Sequence, residues 1–437
     1  MTVEGDLRSH AGGRPRLLLL TEYFPWNSQA VFGAIQRLRR HIAVLQELGV
    51  VDVVFFWPEG REPSTEEIAD WQATARSAWE LDGRILFVPV GLPRTLIDWL
   101  LDLVWACRGA IGFFRVQPSM RTSGRRQARL VRGFVKNLSP DLIFAHRMGT
   151  GAVLLRARPT PCPVILDMDD VEHIKLERFA EGSRSLRRRP RILLRRVAAR
   201  LAERRIMAMA SRVLVCSELD RNRLLQVDPS ANIAVVPNSA ADFGYLPPAD
   251  APTAVFVGIA LYGPNREAIL WLAREIWPRI RSAVPDAQLL IVGEGSEKLP
   301  IPHDCPGIGV LGFMPDLEDV YRDARLVVCP IRRGAGTRIK IIEAALNGRA
   351  VVSTRVGAEG LTFQEGTEIL FADTTSEFAQ LCVKVLADRE YSGAIGRAAQ
   401  LRARSDYSHE RVHSTLKAVL REHLKPDGWA DRSGTGG

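Results

Sequence analysis

The sequence predicts an α/β protein: two doubly wound, Rossmann-like parallel-sheet domains with a cleft between them. Three observations lead there. At 437 residues the chain is too long for one ordinary domain and suits two or three. Short apolar runs alternate with helical patterns twice over, the element order of doubly wound sheets. The runs are continuous rather than alternating, as strands buried on both faces require.

Taken in order, the first half offers strand runs at 16–20 (RLLLL), 51–56 (VDVVFF), 84–89, 141–145, 163–166 and 212–216, with helical patterns between them such as 30–48 and 190–210. The second half offers 253–257 (TAVFV), 287–292, 308–311, 325–330, 350–354 and 369–371. Between the halves, PNSAADFGYLPPADAP at 237–252 reads as a linker. The division is therefore an N-terminal domain over 14–236 and a C-terminal domain over 253–407. A last helix over 408–424 is free to pack back on the first domain, and the tail 425–437 reads as disordered.

Composition narrows the class. The apolar content, 46%, is ordinary for a soluble globular protein. The six cysteines are scattered without C-x-x-C or metal-ligand spacing, so they read as reduced core residues of a cytoplasmic protein. The N-terminus lacks the apolar core of a signal peptide.

The net charge of +9 has an address. Residues 183–205 hold ten arginines and one glutamate, and so carry a surplus equal to that of the whole chain. A second run, 115–136, has seven basic residues and no acid, and follows the largely apolar stretch 95–114. Asp98, Asp102 and Arg108 make that stretch a poor transmembrane span. An apolar helix beside cationic segments fits a protein resting on an anionic bilayer, here the inner face of a membrane; the alternative is a buried helix followed by a solvated basic face. The basic runs lack interleaved aromatics, so no nucleic-acid partner is expected.

The stretch PIRRGAGTRIKIIEAALNGRAVVST, residues 330–354, concentrates chemistry at a strand end. Ile339, Ile342 and Leu346 have core-face spacing, while Thr337, Lys340, Glu343 and Asn347 share another face. Spacing alone allows a solvated Lys340–Glu343 pair on a helix. It equally allows a site where a base, an acid and a helix N-terminus at Gly336–Thr337 converge. Four further strand ends of this half lead into Gly258, GEGS, GFM and STRVGAEG, and glycine lets a ligand approach the backbone.

The ordered blocks VFVGIALYGPNREAILWL, LLIVGEGS and VLGFMPDLEDVYRDARLVVCPIRRGAGTRIKIIEAALNGRAVVSTRVGAEGL, over 253–361, resemble the group 1 glycosyltransferases, family 4 in the sequence classification, and a branch of bacterial polysaccharide enzymes in particular. The first half is similar more loosely, through DLIFAHRMGTGA, PVILDMDDVEHIK, VLVCSE and VVPNSA. The resemblance implies the GT-B fold, a nucleotide-sugar donor held by the C-terminal domain, an acceptor held by the N-terminal domain, and retention of anomeric configuration. On that footing Gly334, Gly336, Thr337, Arg338 and Lys340 face the diphosphate, where a helix end and two cations oppose the charge of a leaving phosphate. Glu343 corresponds to the second glutamate of the family's E-x7-E motif, whose two oxygens accept from ribose hydroxyls. Gly258, Asn265 and Arg266 lie near the diphosphate, and Phe313 near the base, with a core role as its alternative. Asp169 falls where many members place a histidine facing the reacting sugar. His146 is a second candidate, with a structural role as its alternative.

Two departures stand out. Ala335 occupies the place of the first E-x7-E glutamate, and the glycine pair expected after the first strand is absent from TEYFPWNSQAVFG, which has only Gly33. Asp167 and Asp169 spell a D-x-D, which holds a divalent metal in the other large transferase fold. Arg338, Lys340 and the helix end leave that role without need, so no metal and no cofactor is expected. The function read here is a retaining glycosyltransferase acting on a glycan or polyprenyl-linked glycan hydroxyl. A nucleotide-sugar 2-epimerase and a non-catalytic nucleotide-sugar-binding scaffold are the alternatives.

Overall fold

The computed structural model describes residues 13–25, 33–57, 64–90, 96, 97, 100, 124–181, 189–301 and 306–424. Several expectations fall outside these residues: N-terminal residues 1–12, most of the acceptor-side loop at 26–32, the apolar stretch 95–114 apart from Leu96, Ile97 and Leu100, basic residues 115–123 and 182–188, and the tail from 425. No helix among the described residues is long and apolar enough to cross a membrane.

Two sheets carry the chain. In the first, β1 (Arg16–Thr21), β2 (Val50–Trp57), β3 (Ile85–Pro89), β4 (Leu142–His146), β5 (Val164–Asp167), β6 (Arg212–Val215) and β7 (Ile233–Val235) lie in the order β3-β2-β1-β4-β5-β6-β7. In the second, β8 (Thr253–Val257), β9 (Gln288–Val292), β10 (Ile308–Gly312), β11 (Leu326–Cys329), β12 (Ala350–Ser353) and β13 (Leu370–Phe371) lie in the order β10-β9-β8-β11-β12-β13. The pairings between these strands are parallel. Each sheet winds outward from its first strand, so the order reverses between β1 and β4 and again between β8 and β11. Ligands of such sheets bind at that reversal, outside the carboxyl ends of the strands.

The strand runs read from sequence appear as strands because they are buried on both faces: Leu17–Leu20 and Leu326–Cys329 have no exposed surface. Strand β7, only three residues long, was too short to register as a run. The chain divides into one compact unit of Met1–Asn27, Leu38–Val236 and His413–Gly437 and a second of Ser28–Arg37 and Pro237–Val412. The final helix, His409–Arg421, reaches the first unit, where His413 Nε2 lies 3.0 Å from Glu47 and Arg212 meets Glu422 at 3.0 Å. Lys417 also pairs with Glu47.

Helical detail follows local chemistry. The helix that starts at Gly263 widens into a π turn at Leu272–Ile276 and resumes at Trp277–Ala283. Pro278 lies just beyond; it has no N–H to give and its ring crowds the preceding turn, and the wider turn absorbs both. Trp277 is fully buried, with its indole N–H donating to the Pro306 carbonyl at 3.1 Å.

The helix Arg389–Tyr407 crosses the end of helix Ile339–Leu346 closely because Gly396 has no side chain: a Cβ there would sit 2.1 Å from the Gly348 carbonyl oxygen. In an exposed helix Gly→Ala adds about 1 kcal/mol of stability. Here the sign should invert. Gly396→Ala is expected to destabilise the second unit by about 1–3 kcal/mol, read as a lower urea midpoint, because backbone rather than a flexible side chain must move.

Candidate functional site

At the reversal point of the second sheet, the turn after β8 and the loop after β11 meet. Lys340, in the first turn of helix Ile339–Leu346, points its Nζ at the Oδ1 of Asn265, 3.1 Å away, and lies 4.1 Å above the ring of Phe256. The Nδ2 of Asn265 donates to the Ile259 carbonyl at 2.9 Å, which fixes the amide's orientation. Gly258 makes the arrangement possible, since a Cβ on it would lie 2.6 Å from the Lys340 amine. Burial pulls the Lys340 amine down to about 8, helped by the positive charge of Arg338 and opposed by Cys329.

The loop 330–338 is shaped by its own arginine. Gly334 has φ 115° and Gly336 φ 75°, both in the region that favours glycine. Arg338 folds back so that its guanidinium donates to the carbonyls of Ala335 and Arg333, at 2.5 and 3.3 Å. A Cβ on Gly334 would lie 2.6 Å from that guanidinium. The expectation of a helix N-terminus at Gly336–Thr337 needs correction. Left-handed backbone at Gly336 holds the loop open two residues longer, and the helix starts at Ile339 with Arg338 as its N-cap residue. Thr337 is buried and accepts from the Asn238 Nδ2 at 2.9 Å, and Arg37 donates to the Asn238 Oδ1 at 3.2 Å.

Glu343 is not half of a solvated pair with Lys340. It is 6% exposed, and the hydroxyl of the fully buried Tyr321 donates to its Oε2 at 2.8 Å. Burial, with the Glu343 charge beside it, raises the Tyr321 hydroxyl well above its ordinary range, so it stays a donor. Around this core the remaining predicted residues are less engaged. Arg266 is exposed. Phe313 is half-buried just beyond Gly312, while its neighbour Met314 packs against the small cluster of Val255, Val292, Val320 and Ala324. Ala335 is 4% exposed. Sequence reasoning passed over Arg332 and Arg333, which pair with Glu267 at 3.0 and 3.2 Å, and Arg332 also stacks 4.4 Å over Trp271.

The reversal point of the first sheet holds a second cluster. His146 ends β4, directly opposite Asp167 at the end of β5. It is fully buried, with its Nδ1 3.1 Å from the Thr21 hydroxyl at the end of β1. Asp167 is also fully buried and lies 3.3 Å from the Nδ1 of His41. The two carboxylates of the D-x-D are thus in different surroundings, because Asp169 is half-buried and lines an open cleft with Glu22, Arg147, Asp170 and Lys175. No group of three or more His, Cys, Asp or Glu suited to hold a metal occurs among the described residues.

Arg147, which sequence reasoning missed, lines this cleft at φ 71°, a backbone conformation rare outside glycine. It donates to the Tyr23 hydroxyl and lies 3.5 Å from Asp170. Burial alone would lower its affinity for the proton, yet Tyr23, Asp169, Asp170 and Glu22 outweigh that and raise it. Burial raises the Tyr23 hydroxyl, against the pull of Arg147. Carboxylates held beside a fixed guanidinium suit the binding of a hydroxyl-rich ligand.

Comparison with known proteins agrees with this layout. Residues 32–239 match the family profile described as a glycosyl transferase 4-like domain, and residues 251–388 match glycosyl transferases group 1. A protein of Klebsiella pneumoniae, described as an uncharacterized 44.6 kDa protein in the cps region, is 27% identical over 135 residues. That match spans 29% of this chain and only 35% of the relative. Among solved structures, sucrose-phosphate synthase from Thermosynechococcus elongatus superposes with a TM-score of 0.64 at 16% identity, over 94% of this chain and 99% of that one. Anabaena HepE in complex with UDP and glucose gives 0.59 at 14% identity, over 94% and 100%. The pneumococcal O-GlcNAc transferase GtfA, in complex with UDP and GlcNAc, gives 0.61 at 10% identity, over 94% and 100%. Likeness at such identities shows the fold.

The buried amine has a consequence for stability. Between about 8, the folded value, and 10.5, the ordinary one, the unfolded chain holds the Lys340 proton and the folded chain does not. The folded state is therefore penalised in full below about pH 8, and the penalty lifts as pH rises through that window. Lys340→Met is expected to melt higher than the native chain at pH 7, with the gap narrowing by pH 10, measured by thermal unfolding across pH.

Proposed function

Since this chain belongs to the group 1 glycosyltransferases, we propose that it is a retaining, metal-independent enzyme. It transfers a sugar from a nucleoside-diphosphate sugar to a hydroxyl of a glycan or polyprenyl-linked glycan in polysaccharide biosynthesis. The observation that carries this reading is the Lys340 amine, desolvated between Phe256, Asn265 and Gly258, two residues from Arg338. A cation kept from water gains most when an anion arrives, and a leaving diphosphate is such an anion. Glu343, held at Oε2 by the Tyr321 hydroxyl, serves a ribose hydroxyl. Asp169, lining the cleft of the first unit, serves the reacting sugar or the acceptor hydroxyl. His146, fully buried with its Nδ1 3.1 Å from the Thr21 hydroxyl, directly precedes Arg147 of that cleft and helps to position it. The relative encoded in a cps region and the structural neighbours in complex with UDP and sugars support the substrate class. A polyprenyl-linked acceptor supports a working place at the inner face of a membrane.

Calorimetric titration with UDP, GDP, ADP, dTDP and CMP tests the donor site. One diphosphate should bind with a micromolar Kd, lost on Lys340→Ala, and affinity should fall as pH rises past about 8 and the free amine loses its proton. No binding by any of them overturns the donor reading. For Asp169→Ala, kcat should fall at least about 100-fold while donor affinity stays within a few-fold. Full turnover with unchanged affinity would remove Asp169 from the reaction.

A further inference from the structure

The two basic runs, separate in sequence, share one face of the first unit. Helices Arg125–Leu138 and Arg189–Met207 each pack against helix Arg147–Ala157, and all three place side chains in one core cluster on the same side of the first sheet. On helix Arg125–Leu138, Val131 and Val135 point inward, while Arg125, Arg129 and Lys136 are exposed. Arg132 ties this helix to its neighbour, donating to the Ala157 carbonyl at 2.9 Å.

The helix Arg189–Met207 has an unusual outer face. Its inner face is Ala198, Ala199, Ala202 and Ile206, all buried. Outward, Leu193, Val197 and Leu201 are spaced four apart and are 47%, 57% and 50% exposed. Exposed Arg200 and Arg204 flank them. The one acid of the helix, Glu203, is fully buried on His173 and offsets nothing outside. A solvated basic face has no use for three exposed aliphatic side chains in a row, whereas a helix lying in a bilayer interface needs both parts.

We propose that this face docks on a membrane rich in anionic lipid. The arginines and Lys136 meet headgroups while Leu193, Val197 and Leu201 enter the acyl boundary. Charge complementarity selects the occupant, since the segment containing this helix carries a surplus equal to the entire net charge of +9. The inference deepens the acceptor reading above by naming the surface that brings the chain to a lipid-linked glycan.

Co-sedimentation with vesicles of phosphatidylcholine, with and without phosphatidylglycerol, tests it. The full chain should bind the mixed vesicles and not the neutral ones. Arg200→Glu with Arg204→Glu should weaken binding by at least roughly ten-fold, since each cation near an anionic surface is worth about five-fold. Leu193→Ser with Val197→Ser and Leu201→Ser should abolish the binding that survives high salt, and Leu201→Arg alone should reduce it. All these positions are exposed, and unchanged nucleoside-diphosphate titration in the variants shows that loss of vesicle binding is not loss of fold. Equal sedimentation of native and variant chains, or equal binding to neutral vesicles, would overturn the surface. Tighter binding to duplex DNA than to mixed vesicles, indifferent to the apolar substitutions, would overturn it in favour of nucleic acid. A native chain that binds mixed vesicles and no nucleoside diphosphate would support the surface and overturn the donor reading alone.

Discussion

Keeping a lysine ammonium out of water is the constraint around which the second unit is arranged. Among the described residues, Lys340 has one hydrogen-bond partner, Asn265, and the face of Phe256 for company. Such a charge is costly unless something compensates it. The compensation is incomplete by construction: Gly258 leaves the room beside the amine, Asn265 is oriented by a backbone carbonyl, and Arg338 adds like charge instead of relieving it. Ala335 brings no carboxylate to this loop; its backbone carbonyl accepts from the Arg338 guanidinium instead.

The first unit solves a comparable problem with pairing. Buried His146, Asp167, His41 and Glu203 each lie against another polar group, and Arg147 is ringed by Tyr23 and three carboxylates. Pairing of this kind fixes side-chain positions under an open cleft, and the cleft's own acids, Asp169 and Asp170, keep a counter-charge at hand. The left-handed backbone of Arg147 puts the guanidinium that these acids face directly after the end of β4.

Much of this was legible in the sequence, for reasons that differ between elements. Runs such as Leu17–Leu20 and Leu326–Cys329 announce themselves because parallel strands are apolar on both sides. Lys340 and Gly258 were legible because a charge and a glycine at strand ends have few structural uses. Strand β7 was not, since Ile233–Val235 is no longer than many loop segments. The start of the helix after β11 was misplaced because Gly336 reads as a cap, while its left-handed backbone keeps it in the loop. Partners distant in sequence were silent altogether: nothing near Glu343 announces Tyr321, and nothing near Asp167 announces His41. Arg147 was hidden for another reason, because an arginine at a helix start looks like solvent-facing charge until its backbone is seen.

The return of the last helix to the first unit has a consequence for how the protein is made. Glu47 leaves the ribosome long before its partners His413 and Lys417, which lie up to 370 positions later in the chain. The second unit, continuous from Pro237 to Val412 apart from Ser28–Arg37, can form most of its core during synthesis. The first unit must wait, carrying an uncovered patch near Glu47 through the whole of its neighbour's translation. Chaperones that meet this nascent chain should therefore linger on the half that was made first.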